Sequence, residues 1–166
     1  MPYGIWDGSR WRWLGLSGLV ILLDQVSKFA AEHWLTPYEP LAVLPSVNLT
    51  LLYNPGAAFS FLAGAGGWQR WLFVALAVAV SAALLVWLWR LRPGERLLGL
   101  ALSLVLGGAV GNLVDRLLHG HVVDFIDLYW RDWHWPAFNV ADSAITVGAV
   151  LLLVDGLFGA RKELRR

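Results

Sequence analysis

The chain has 166 residues, 58% of them hydrophobic and 15% charged, with a formal net charge of +1. Soluble domains are about a quarter charged and under half apolar, so this balance excludes a disordered chain and points to the bilayer. The near-neutral charge gives no general attraction to nucleic acid, and the absence of cysteine excludes disulfides, thiol nucleophiles and thiolate metal sites.

Crossing about 30 Å of hydrocarbon takes roughly 20 apolar residues. The first candidate span is 13–31, whose second half is broken by Asp24, Gln25 and Lys28. Its basic start and apolar stretch 14–23 have the form of a signal peptide. Cleavage after Ala31 would place bulky Phe29 where a small residue is required, so the span is read as an uncleaved anchor. The segment 32–70 follows. Within it Val47, Leu49, Leu51 and Tyr53 alternate with a more polar face, and Asn54-Pro55-Gly56 supplies a turn. That pattern predicts a strand over 47–54, in a short sheet on the membrane surface. Residues 71–89 form an uncharged second span, 97–117 a third that runs into Asp115 and Arg116, and 140–158 a fourth after the segment 117–139. Tryptophans cluster at the span ends: Trp11 and Trp13, Trp34, Trp68 and Trp71, Trp87 and Trp89, then Trp130, Trp133 and Trp135. That distribution is expected of interfacial belts.

Lys and Arg set the orientation. Arg10, Arg12, Arg90, Arg92, Arg96, Arg161, Lys162, Arg165 and Arg166 would lie on one side, nine against the remaining four. The positive-inside rule therefore puts both termini in the cytoplasm and 32–70 and 117–139 outside. No repeat or linker divides the chain, which reads as one membrane-embedded domain.

Charged residues near hydrocarbon cost about 2.5–3.5 kcal/mol each on insertion scales and need a partner or a purpose. Asp24 and Lys28 have the spacing and order of a helical ion pair. Asn112, Asp115 and Arg116 share a helix face, and Gly107 with Gly111 allows close helix approach. Asp124 stands between apolar residues after the third span, and Asp142 opens the fourth. Taken alone, Asp142 suits a helix cap better than a catalytic role, since Asn and Asp are preferred caps and an acid in the first turn favours the dipole. Placed at one depth, however, the two carboxylates could share a proton, so that one activates water while the other protonates a departing group. His33, His119, His121 and His134 have no metal-pair spacing, and Gly15-Leu16-Ser17-Gly18-Leu19 misses the nucleophile-elbow pattern and lies mid-span.

Five blocks, in order, make the chain resemble the lipoprotein signal peptidase (signal peptidase II) family from about Leu14 to Phe158. They are Asp24-Gln25-Val26-Ser27-Lys28, Asn54-Pro55-Gly56-Ala57-Ala58-Phe59-Ser60, Gly107-Gly108-Ala109-Val110-Gly111-Asn112-Leu113-Val114-Asp115-Arg116, Val122-Val123-Asp124-Phe125-Ile126-Asp127 and Phe138-Asn139-Val140-Ala141-Asp142-Ser143-Ala144-Ile145. The resemblance implies a mainly α, polytopic bacterial plasma-membrane protein, with four transmembrane helices, a small extracytoplasmic β-sheet and a short extracytoplasmic helix or loop. It implies Asp124 and Asp142 as the catalytic pair, with Asn54, Asn112, Arg116 and Asn139 around the substrate. Asp24, Lys28 and Asp115 would be structural support. The substrate would be a diacylglyceryl prolipoprotein cut just before its lipidated cysteine, near the extracytoplasmic face. No metal or organic cofactor is expected, and the partners are that substrate and membrane lipids, around a monomer. The competing expectation is a small carrier or proton relay using Asp24/Lys28 and Asp115/Arg116, which would distribute its acids across the membrane depth.

Overall fold

The computed structural model describes residues 8–56, 64 and 66–163. Four helices dominate these residues: α1 (Gly8–Trp34), α2 (Trp68–Trp89), α3 (Arg96–Leu118) and α4 (Val140–Glu163). Each is long and apolar enough to cross a membrane. The helices overrun the apolar stretches that announce them, because residues such as Arg10 and Trp34 continue the backbone ladder beyond the hydrocarbon-length core. Ala57, Ala58, Phe59 and Ser60 of the second block, and Arg165 and Arg166 of the basic tail, lie outside the described residues.

Helix α3 is central and packs against the other three. Glycines permit this. A Cβ at Gly107 would lie 2.7 Å from the Val20 Cβ, and one at Gly111 would lie 2.6 Å from Asp24 Oδ2, so both glycines let α1 approach. A Cβ at Gly108 would collide with the Ala141 carbonyl of α4. Between α2 and α3 the core is Leu84, Leu88, Leu102 and Leu106. Trp13 joins that cluster and lies over Gly99. It is thus a packing residue, unlike Trp11, Trp34, Trp68, Trp71, Trp130 and Trp133, which are all more than half exposed, as belt residues would be.

One end of the bundle carries an antiparallel sheet in the order β1-β2-β3-β4, made of β1 (Leu41–Leu44), β2 (Val47–Asn54), β3 (Val122–Trp130) and β4 (Trp133–His134). Strand β2 forms where alternation predicts it, but a bulge between Leu49 and Leu52 shifts its register against β3. Over 48–50 the polar positions Asn48 and Thr50 are the buried ones. The reason is Asp127, which stands opposite Asn48 and accepts hydrogen bonds from both side chains. Ala31, Leu51, Val123 and Phe125 form a second core that fastens the sheet to α1.

Two connections place the site. Gly120, at φ 82°, ends α3 in a left-handed turn and sends the chain into β3. After β4 the chain remains extended along β3: the Trp135 N–H donates to the Leu128 carbonyl at 2.8 Å, and the Phe138 N–H to the Ile126 carbonyl at 3.1 Å. Pro136, which has no N–H to give a ladder, stands between those two donors.

Candidate active site

Helix α4 begins with a reciprocal cap. The Asp142 N–H donates to Asn139 Oδ1 at 2.9 Å, and the Asn139 N–H donates to Asp142 Oδ2 at 3.3 Å. This satisfies backbone donors that a helix start leaves open. The capping role that Asp142 suggests in the sequence is therefore real, and it occupies one carboxylate oxygen. The other, Oδ1, accepts Asn112 Nδ2 at 2.7 Å.

Asp124 lies near the start of β3, opposite Leu52. Its Oδ1 accepts Asn139 Nδ2 at 2.8 Å and its Oδ2 accepts Asn54 Nδ2 at 3.2 Å. Asn139 thus touches both carboxylates. Burial of Asp124, with the neighbouring Asp142 charge adding to it, pushes its carboxyl from an ordinary 3.8 up to about 7. Hydrogen bonds from Asn54 and Asn139 act in the opposite direction and do not overcome burial.

The three asparagines cannot turn round. Asn112 Oδ1 accepts Lys28 Nζ at 2.9 Å, which leaves its Nδ2 for Asp142. Asn54 Oδ1 accepts the Gly56 N–H at 2.9 Å, and Asn139 Oδ1 is taken by the Asp142 N–H. Each amide therefore presents its donor to a carboxylate because its acceptor is engaged elsewhere.

Beneath the pair lies a buried ionic cluster. Lys28 Nζ lies 2.8 Å from Asp24 Oδ2 and 2.7 Å from Asp115 Oδ2. One ammonium between two carboxylates leaves negative charge to be met by donors. The Ala141 N–H reaches Asp24 Oδ1 at 2.8 Å, the Val123 N–H reaches Asp115 Oδ2 at 3.1 Å, and Gln25 Nε2 reaches Asp115 Oδ1 at 2.8 Å. The cluster thereby joins α1 and α3 to the first turn of α4 and to the residue preceding Asp124. Gln25 belongs to this cluster without having been assigned a role from sequence, although a carboxamide in an apolar span is itself a signal.

Arg116 donates to the Gly56 carbonyl at 3.0 Å and to the Asn112 carbonyl at 3.3 Å, with its guanidinium 5.2 Å from the centre of the Phe73 ring. It ties the Asn54-Pro55-Gly56 turn to α3. Asn54, Asn112, Arg116, Asp124 and Asp142 all line one cavity of about 680 Å³, which continues past Ile145 and Val147 along α4. Asn139 is fully buried behind it, and Asp24, Lys28 and Asp115 lie outside its lining. A second residue with no role assigned from sequence is Asp127, whose Oδ1 lies 2.8 Å from His134 Nδ1. These two meet only through the β3–β4 turn. Among the described residues, no group of three or more His, Asp or Glu is placed to hold a metal ion.

Four membrane-length helices with a dicarboxylate site at one end define a multi-pass membrane protein with its polar chemistry gathered at a single depth. Residues 16–158 match the family described as Signal peptidase (SPase) II. Similar proteins include the lipoprotein signal peptidase of Pseudomonas aeruginosa, 56% identical over 157 residues that cover 93% of this chain and 92% of that one. That of Cupriavidus necator is 55% identical over 151 residues, covering 91% and 86%. A solved bacterial membrane enzyme, determined by the in meso method at 2.3 Å resolution, superposes with a TM-score of 0.81 at 30% identity, over 90% of this chain and 89% of that one. The chain belongs to the signal peptidase II family.

Proposed function

We propose that the chain is an aspartic endopeptidase that removes the signal peptide from diacylglyceryl prolipoproteins by cutting just before the lipidated cysteine. One observation carries this reading: two carboxylates, each with both oxygens held by fixed amide donors, line a cavity that runs along a membrane-spanning helix. A lipid-modified substrate is confined to the bilayer, so a cavity following α4 suits it. Lys and Arg asymmetry orients the sheet end outward, with both termini in the cytoplasm.

In this mechanism Asp124 and Asp142 share one proton, which Asp124 holds below about pH 7. Asp142 takes a proton from water as the water oxygen bonds to the carbonyl carbon preceding the cysteine. Asp124 gives its proton to the cysteine nitrogen as the C–N bond breaks. The products are a signal-peptide carboxyl group and a lipidated cysteine with a free amine. Asn54, Asn112 and Asn139 hold the carboxylates in a fixed geometry, while Arg116 holds the turn that carries Asn54. Asp24, Lys28 and Asp115 support this frame. They are consumed by one another and by backbone donors, which argues against a carrier or relay that needs charges open to a path.

Turnover of one precursor with and without its diacylglyceryl group tests the substrate. Acyl chains contribute about 0.8 kcal/mol per buried CH₂, so the unlipidated form should be cut far more slowly. Equal turnover of both would mean a general peptidase.

A further inference from the structure

Asp124 also lines a second cavity of about 620 Å³, bordered by the strap formed by Trp135, Pro136 and Ala137. The strap lines both cavities, as do Asn54 and Asp124. The two differ in their surroundings. The first follows α4, whereas no residue of a membrane-length helix lines the second, which is built from the sheet and its loops. Its wall includes Thr50, Tyr53, Asp127 and His134 together with Tyr38.

Tyr38 adopts φ 66°, a left-handed conformation that bulky residues rarely take. There its ring meets Tyr53 edge-on, with centroids 6.4 Å apart. Its N–H donates to the Leu51 carbonyl at 2.9 Å, so the sheet backbone holds it in that conformation. Residues kept in such conformations concentrate at functional sites.

A signal peptide spans the membrane and the polypeptide following the cysteine lies outside it. The scissile bond at Asp124 therefore adjoins two cavities, one that follows the membrane-length helix α4 and one built from the sheet and its loops. Accordingly, we propose that the second cavity binds the first residues after the lipidated cysteine, in extended form, against Tyr38 and Tyr53. This assignment rests on the peptidase reading and extends it to the far side of the cleaved bond. About four residues, spanning about 13 Å when extended, would follow the cavity.

Two synthetic diacylglyceryl peptides test the assignment. One ends in an amide at the cysteine, and the other carries about four further residues. Binding energy from parts of a substrate remote from the reacting bond raises kcat/KM. Wild-type protein should cleave the longer peptide at least about tenfold more efficiently. Tyr38→Asn removes the ring with a residue that tolerates the left-handed conformation. It should lose most of that advantage while cleaving the short peptide at the wild-type rate, which also reports correct folding. Equal cleavage of both peptides by the wild type would overturn the assignment alone, as would an undiminished advantage in Tyr38→Asn. Failure of the wild type to cleave either peptide would instead overturn the peptidase reading, and this assignment with it.

Discussion

Asn139 and Asp142 cap each other at the start of α4, with the Asp142 N–H on Asn139 Oδ1 at 2.9 Å and the Asn139 N–H on Asp142 Oδ2 at 3.3 Å. The carboxylate proposed to activate water is thus fixed by the same bonds that begin a helix. The side-chain amide of Asn139 meanwhile reaches Asp124. Helix initiation and site geometry are one arrangement here.

Asn139→Ala should lose both functions. Loss of the cap costs about 1 kcal/mol, and loss of the amide should lower kcat/KM at least about 100-fold. Asn139→Ser restores a capping oxygen but no amide donor. Thermal unfolding in detergent should therefore recover in the Ser variant while turnover stays low. Recovery of both together would show that Asn139 acts only as a cap.

The raised pKa of Asp124 has a defined sign. Its carboxyl, neutral up to about 7 in the folded protein and ionised above an ordinary 3.8 when unfolded, contributes stability that is fully present below about 4. That contribution is lost as pH rises to about 7. Asp124→Asn cannot ionise, so its stability advantage over wild type should open between pH 4 and 7, to a gap on the order of 4 kcal/mol, and stay level above. Wild-type activity should decline as pH rises through about 7, when Asp124 loses the proton it must donate. Unfolding and turnover measured across that range check both, and a stability gap independent of pH would contradict the assignment.

Arg116→Lys separates two roles for that cation. If Arg116 merely anchored α3 at the interface, Lys would serve, since either cation reaches the headgroups. Its fork instead bridges the Gly56 and Asn112 carbonyls, a geometry that a single ammonium does not reproduce. Turnover should fall at least about tenfold with insertion and thermal stability kept. Wild-type turnover in the variant would strike Arg116 from the site.

Asp115 should behave in the opposite manner. It pairs with Lys28 and receives Gln25 and the Val123 N–H, with no part in the cavity lining. Breaking a buried pair by removing one partner costs about 3–5 kcal/mol. Asp115→Asn should therefore lower the unfolding temperature by about 10 °C while turnover per folded molecule changes less. A stable variant with abolished turnover would place Asp115 in the chemistry.

The four spans were legible because lipid demands long uncharged runs, and Asp24, Lys28, Asn112 and Asp115 were conspicuous because they interrupt them. Strand β2 was legible from alternation. Strand β3 was not: Val122, Val123, Asp124 and Phe125 are all buried, so no period of two marks it. Trp13 looked like its interfacial neighbours because its partner, Gly99, is distant in sequence. The link between Asp127 and His134 depends on the β3–β4 turn, and Asn112 could not be assigned a direction without Lys28 beside it. Residue types at one membrane depth were readable, but the orientation of each amide was a property of the packed structure.

The most direct test is conversion of a diacylglyceryl prolipoprotein to its shortened form by Asp124→Asn, Asp142→Asn and the double variant, each compared at equal membrane accumulation. Residues acting as one catalytic unit are non-additive, so each single variant should lose nearly all activity and the double should be little worse. Near-normal cleavage by either single variant would contradict the shared-proton mechanism.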